Sequence, residues 1–420
     1  MKKARNLLGL GAVVSINLIL QFLFQWYMIV SFGSGATMDV FFGTMALPQF
    51  ILLVLSNSLS MVLIPIFSTH KKESLQAEVW NFFQAIGLLF FGMAVVLWAT
   101  TQWWVPWLLP GFKGENLELA INLSSIQLVA MVFSAMLSVL WGMHSAQENF
   151  ILIETTSILA GSISFGLLLI AVSHMNIYAA AWISVIRVMM QCAFLMKKMG
   201  PWKRPNFKSV AFATSWSRVK PLIAGNVYFK TDSLVDKYLT STGVSGDLTL
   251  LSLAQQLYSM VINVLSKTLV STIIPSLSVQ SVGNKLEMHR VFLKRLWLLI
   301  VVSAVIFLLL LFMGKPVLNL VFSFKSFGAA SVSRLWLIMV LLFGFWFGGL
   351  LGVLTSGTFY AKGDTRTPTR LSVVLFTIYL PIKIFAFYRF GIEGLAISIS
   401  IYMLVSLFLQ IFILEKRKHL

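Results

Sequence analysis

Apolar positions in this chain come in long runs, not in the short alternating or half-helical patterns of a water-soluble domain. Runs of bilayer-spanning length, about 20 residues each, recur from end to end. They predict helices over 6–30, 39–67, 80–100, 119–142, 151–173, 177–196, 218–242, 249–275, 294–313, 331–359, 370–388 and 392–414. The pattern is that of an all-α polytopic membrane protein with twelve transmembrane helices. The longest polar connection, KKMGPWKRPNFKSVAFATSWS over 197–217, divides these into six and six. The expected organisation is therefore an N-terminal six-helix lobe over 1–196, a basic cytoplasmic linker over 197–217, and a C-terminal six-helix lobe over 218–420.

The two sets resemble each other. An ungapped shift by half the chain's 420 residues lays VFFGTMALPQFILLVLSNSLSMVLIPIFS (Val40–Ser68) onto LLSLAQQLYSMVINVLSKTLVSTIIPSLS (Leu250–Ser278). It pairs Leu47 with Leu257, Ser56 with Ser266, Pro65 with Pro275 and Ser68 with Ser278, and carries Pro106 onto Pro316. An even number of helices per set gives both the same orientation. The repeat is thus parallel, about an axis along the membrane normal, with a shared central cavity expected between the lobes.

Polar positions inside the spans mark where such a cavity would be lined. At 100° per residue, Gln256, Ser259, Asn263, Ser266 and Lys267 share about one third of the eighth span's circumference. Asn17, Gln21 and Gln25 form an uncharged stripe on the first span, and Gln49, Ser56, Asn57 and Ser60 lie on the second. A single Ser or Asn is explained by interhelical hydrogen bonding, but stripes at related positions of both halves point to a polar path.

The seventh span, GNVYFKTDSLVDKYL, is the richest in charge. Lys230 and Lys237 share one face, and Asp232 and Asp236 share another. A regular helix cannot neutralise them against each other, so each pair should meet different partners. Ionisable groups at bilayer depth mostly face a bundle interior or watery cavity. Lys230 is the expected ligand of an anionic group. Lys237, near a helix end, has snorkelling as its plain reading. Arg187 in the sixth span either serves the cavity or pairs with an aspartate of the seventh. Asp39 opens the second span, where a carboxylate favours the helix N-terminus. Glu154 and Lys383 read as structural groups near helix ends. Gly344, Gly348 and Gly352 form a G-x-x-x-G ridge suited to close helix contact.

Composition closes off other classes. The chain is 58% hydrophobic and 11% charged, with mean hydropathy +0.88 and net charge +18. The positive charge does not call for a nucleic acid. With the N-terminus inside, most basic residues, such as Lys2, Lys3, Lys71, Lys197, Lys203, Arg204, Arg290, Arg366 and Lys416, fall in cytoplasmic segments. Only Lys113, Lys315, Lys325, Arg334 and Arg389 lie outside. That asymmetry places both termini in the cytoplasm, with the basic residues facing anionic inner-leaflet lipid. The N-terminal run is too long and too polar for a cleaved signal and reads as a retained helix. Cys192 stands alone, and the five histidines have no metal-ligand spacing. No nucleotide-binding loop or nucleophile elbow is present, so no enzyme activity, cofactor or metal is expected.

The segments GSGATMDVFFGTMALP (Gly33–Pro48), VLIPIFS (Val62–Ser68), IIPSLS (Ile273–Ser278) and FYAKGDTRTPTRLS (Phe359–Ser372) resemble the MurJ/MviN lipid II flippases of the multidrug/oligosaccharidyl-lipid/polysaccharide exporter superfamily. The resemblance implies two six-helix lobes around a cavity lined by the first, second, seventh and eighth helices. It implies alternating access that moves a polyprenyl-pyrophosphate-linked sugar from inner to outer leaflet. Asp39 matches an acidic position of that family, and Asp364, Arg366 and Pro368 match its loop before the eleventh helix. The family's cavity arginines align with Phe24 and Val30, with Leu52 and Leu53, and with Gln256, all uncharged. Its two further C-terminal helices are expected to be missing.

A lipid-linked glycan, either lipid II or an exopolysaccharide or O-antigen repeat unit, is the expected substrate. Lys230, Lys267, Lys237 and Arg187 would hold its head, and Asn17, Gln21, Gln25, Gln256 and Asn263 would bind sugar hydroxyls. The alternative is a cation-coupled multidrug antiporter using Asp39, Asp232 or Asp236. A non-transporting scaffold for glycan assembly is the third reading.

Overall fold

Every predicted span is helical, the seventh and eighth over the parts of them that are described. The computed structural model describes residues 2–69, 72–206, 227–228, 230–266, 285–361, 364 and 366–416. Its helices are α1 (Lys2–Phe32), α2 (Ala36–Thr44), α3 (Ala46–Thr69), α4 (Lys72–Ala99), α5 (Thr101–Leu108), α6 (Glu115–Ala146) and α7 (Phe150–Met196). They continue as α8 over 230–241, α9 (Asp247–Leu265), α10 (Lys285–Phe322), α11 (Ala329–Leu341), α12 (Phe343–Ala361) and α13 (Arg366–Lys416). By length and composition the protein is a polytopic all-α membrane protein.

Two of the longest helices are each two spans joined without a loop. In α7 the helical dihedrals fail at Asn176, with φ 49°, and in α13 at Gly391, with φ 63°. Both residue types enter the left-handed region more readily than others. The arms meeting there, 150–175 and 177–196, then 366–390 and 392–416, match the predicted fifth, sixth, eleventh and twelfth spans. The tenth span is bent by 48° between α11 and α12.

The chain divides into two compact units, Met1–Thr242 and Gly243–Leu420. In the first, α6 packs against α3, α4 and α7. Leu63, Phe67, Val79, Phe82, Phe90, Met131, Leu140 and Leu195 form the centre of its core. Thr100 interrupts the third span, and α5 follows with Trp103 and Trp107 each 76% exposed, as suits a membrane interface. The helix α8 is anchored to this unit at its end. The Gly111 N–H donates to Ser241 Oγ at 3.5 Å, and a Cβ on Gly111 would overlap the Ser241 carbonyl.

The start of the basic linker is fastened to α4. Gln76 Nε2 donates to the Pro201 carbonyl at 3.4 Å, Gln84 Nε2 to that of Lys203 at 3.0 Å, and the Asn206 N–H to Asn81 Oδ1 at 2.7 Å. Gly200 makes the turn possible with φ 81°, and its missing Cβ leaves room for the Gln76 amide. Gly200→Ala is expected to cost about 1 kcal/mol in backbone strain alone. It should displace Gln76 and speed limited proteolysis between 197 and 206; an unchanged cleavage rate refutes this account of the glycine.

In the second unit, α9 buries Leu250, Leu251, Leu253, Ala254, Tyr258 and Ile262 on one side. Tyr258 stacks on Trp346 at 5.6 Å, and its hydroxyl donates to the Met339 carbonyl at 2.6 Å. Asp247 begins α9, accepts from the Val244 N–H at 3.0 Å, and pairs with Arg334 at 2.6 Å.

The glycine ridge of α12 divides by function. Gly344 and Gly348 face Ser400 and Met403 of the second arm of α13 so closely that a Cβ would lie 2.2 and 2.7 Å from them, whereas Gly352 meets nothing within 4 Å. Ser400 spans the bend before α12. Its hydroxyl donates to the Leu341 carbonyl at 2.6 Å and accepts from the Gly344 N–H at 3.1 Å. It thus satisfies one of the amides that a helix start leaves unpaired.

Candidate functional site

Helix α1 brings the first polar stripe against the first arm of α7. Asn17 is buried, and all its polar atoms are taken up by protein: Nδ2 donates to Glu154 Oε2 at 2.7 Å, and Oδ1 accepts from Ser157 Oγ at 3.0 Å and Gln21 Nε2 at 3.3 Å. Glu154 is therefore a partner of Asn17. One turn beyond Gln21, Gln25 has a buried Nε2 with no partner among the described residues. Arg187, from the second arm of α7, reaches the gap left by Gly161, one turn beyond Ser157, with its guanidinium 3.7 Å from where a Cβ would be. It forms no hydrogen bond or ion pair among the described residues, and so does not pair with an aspartate of α8.

A second cluster joins α2 to α8. Asp39 lies in the first turn of α2 but is only 4% exposed, so it is more than a capping charge. Lys237 does not snorkel freely. Its ammonium lies 5.6 Å over the Phe42 ring and experiences the charges of Asp236 and Asp39. Asp236 is buried, and Asp232 is half-buried on the same helix. Lys230, two turns before Lys237, is half-buried with no ion pair among the described residues. The opposite-charge approach of Asp39 and Lys237 joins positions far apart in sequence, and no local pattern announces it.

On α9 the side opposite the buried one carries Gln256, Ser259 and Asn263. Gln256 is half-buried and Asn263 exposed, and none of the three side chains has a hydrogen-bond partner among the described residues. Lys267 lies outside the described residues, as do the side chains of Ser56, Asn57 and Ser60. The loop motif is a helix start. Asp364 Oδ1 accepts from the Thr367 N–H at 2.9 Å, Arg366 is exposed, and buried Pro368 sits in the first turn of α13, where a missing N–H costs nothing.

Among the described residues, the first unit carries two cations without an ion pair, Arg187 and Lys230, which suit an anionic ligand, and the second carries the unpartnered amides of Gln256 and Asn263. Among the described residues no group of three His, Cys, Asp or Glu is placed to hold a metal ion.

Comparison with known proteins follows the same lines. The structure is similar to that of a lipid II flippase MurJ in an inward closed conformation, with TM-score 0.84 at 14% identity over 97% of this chain and 87% of the other. It is also similar to an inward-facing multidrug resistance MATE family transporter of the MOP superfamily, with TM-score 0.73 at 15% identity over 97% of this chain and 98% of that one. The probable lipid II flippase MurJ of Borreliella burgdorferi is 21% identical over 94% of this chain and 79% of its own length. That of Buchnera aphidicola is 23% identical over 96% and 81%. The family model for the lipid II flippase MurJ matches residues 28–420, and the chain belongs to that family.

Proposed function

We propose that this protein is a flippase that carries a polyprenyl-pyrophosphate-linked oligosaccharide from the inner to the outer leaflet of the bacterial cytoplasmic membrane by alternating access. Its termini are in the cytoplasm, and it acts without a cofactor or chemistry of its own. The observation that carries this reading is the family match across 28–420. The polar faces described above supply what such a substrate needs. A pyrophosphate cannot enter hydrocarbon unpaired, while its isoprenoid tail is at home there. Arg187, Lys230 and Lys267 are proposed to hold the head, and Gln25, Gln256 and Asn263 to bind sugar hydroxyls. Asn17 positions the α1 face through its bonds to α7, and Gln21 supports it by donating to Asn17. Lys237 with Asp39 and Asp236 is proposed as a gating group, because a protein cation already stands beside these carboxylates.

The test is rescue of a bacterial strain depleted of its lipid II flippase. Wild-type chain should restore growth and translocation of labelled lipid II. Arg187→Ala and Lys230→Ala should lower translocation at least tenfold with normal membrane abundance, the loss of about one charge-assisted contact. No rescue, alongside transport of an exopolysaccharide or O-antigen unit by the same protein, assigns the other glycan class. Rescue unaffected by both substitutions removes their assigned roles.

A further inference from the structure

The two arms of α13 enclose a groove of about 640 Å³ between them. Ile378, Ile382, Ala386, Ile401 and Val405 line its length, and Tyr379 and Tyr402, stacked at 4.3 Å, lie along it. Ile378, Ile382 and Ile401 are each more than half exposed. Within a spanning pair, an apolar lining of this kind is wetted by hydrocarbon, because the bilayer core offers no water.

The end of the groove near the Gly391 break is different. Glu393 lines it, and Arg389 stands four residues earlier in the chain, on the other side of the break and exposed. Neither makes a hydrogen bond or ion pair among the described residues. Among the described residues, the charges that face this corner from a packed element are those of the Asp247–Arg334 pair, already joined to each other. Tyr388 and Phe390 flank it, 65% and 63% exposed, as aromatic rings do at headgroup depth.

We propose that this groove seats one acyl chain of a membrane phospholipid with a primary ammonium head, as in phosphatidylethanolamine, its ammonium at Glu393 and its phosphate at Arg389. A carboxylate and a guanidinium on the two sides of the same break complement a zwitterion. A polyprenyl pyrophosphate carries only negative charge, which Glu393 repels, and phosphatidylglycerol has no cation to offer it. The assignment is independent of the flippase reading, since it concerns a bound lipid and not a transported one.

The full chain is reconstituted in vesicles of equal phosphatidylethanolamine and phosphatidylglycerol, re-extracted in mild detergent and weighed by native mass spectrometry. Retained phosphatidylethanolamine should exceed phosphatidylglycerol by about threefold, the scale of one interfacial ion pair. Glu393→Gln should bring the ratio to about one. Ala386→Phe, which fills the groove, should remove retained lipid of both kinds. A ratio near one in the wild type, a ratio unmoved by Glu393→Gln, or displacement of phosphatidylethanolamine by an equal amount of polyprenyl phosphate overturns the proposal. Glu393→Gln alters a partly exposed side chain, so the head selectivity stays testable even where Ala386→Phe fails to fold.

Discussion

Lys237→Met should destabilise the protein by about 3 kcal/mol, because it removes the ammonium that balances the buried carboxylates of Asp39 and Asp236. Asp39→Asn alone should also destabilise, by removing one of the two charges that balance the Lys237 ammonium. The double variant Asp39→Asn with Lys237→Met should be closer to wild type than the single effects predict in sum. Apolar or neutral replacement of both members removes the burial cost along with the attraction. Thermal unfolding of the four proteins in one detergent measures the coupling. Additive losses would show that the approach of α2 and α8 at this point carries no energy. Transport should fail in both single variants and remain lost in the double one, since fold is restored there but the proposed gating group is not.

Gly344→Ala is the second large effect. Its Cβ would lie 2.2 Å from the Ser400 carbonyl, and helix backbone on both sides cannot give way cheaply. Overpacking of that kind costs about 1–3 kcal/mol or more. Here it also pushes away the hydroxyl that satisfies the Gly344 amide. Gly352→Ala, on the same ridge two turns later, meets nothing within 4 Å and should be neutral or stabilising, since Ala is favoured over Gly in a helix by about 1 kcal/mol. Equal melting temperatures for the two variants would sink the distinction.

That contrast shows what a sequence carries and what it omits. The three glycines spaced by four announce a close helix contact, but not that only the first two make it. Span positions were legible because a run of about 20 apolar residues has few uses other than crossing a bilayer. The joined arms at Asn176 and Gly391 were placed as separate spans for the same reason, though neither residue flags a turn without a loop. Charges were harder to read. Lys383, five residues inside its predicted span's end, reads as a helix-end group, yet it is fully buried with its ammonium 5.2 Å from the Tyr379 ring. Depth along a helix can be counted from sequence, whereas depth within a bundle depends on neighbours that only the fold supplies. Asn17 makes the same point. Its place in a polar stripe suggested a ligand for sugar, and the carboxylate and hydroxyl that occupy it come from residues over 130 positions away.

The hydroxyl of Ser400 sets more than one bond. By touching Leu341 and Gly344 from either side of the interrupted tenth span, it makes the angle of that span a joint property of α11, α12 and the arm over 392–416. Those three pieces are tied together at one hydroxyl. Any rearrangement of this unit during a transport cycle must then flex somewhere else, and Gly391, where the helical dihedrals fail between the arms over 366–390 and 392–416, is one pivot the backbone offers.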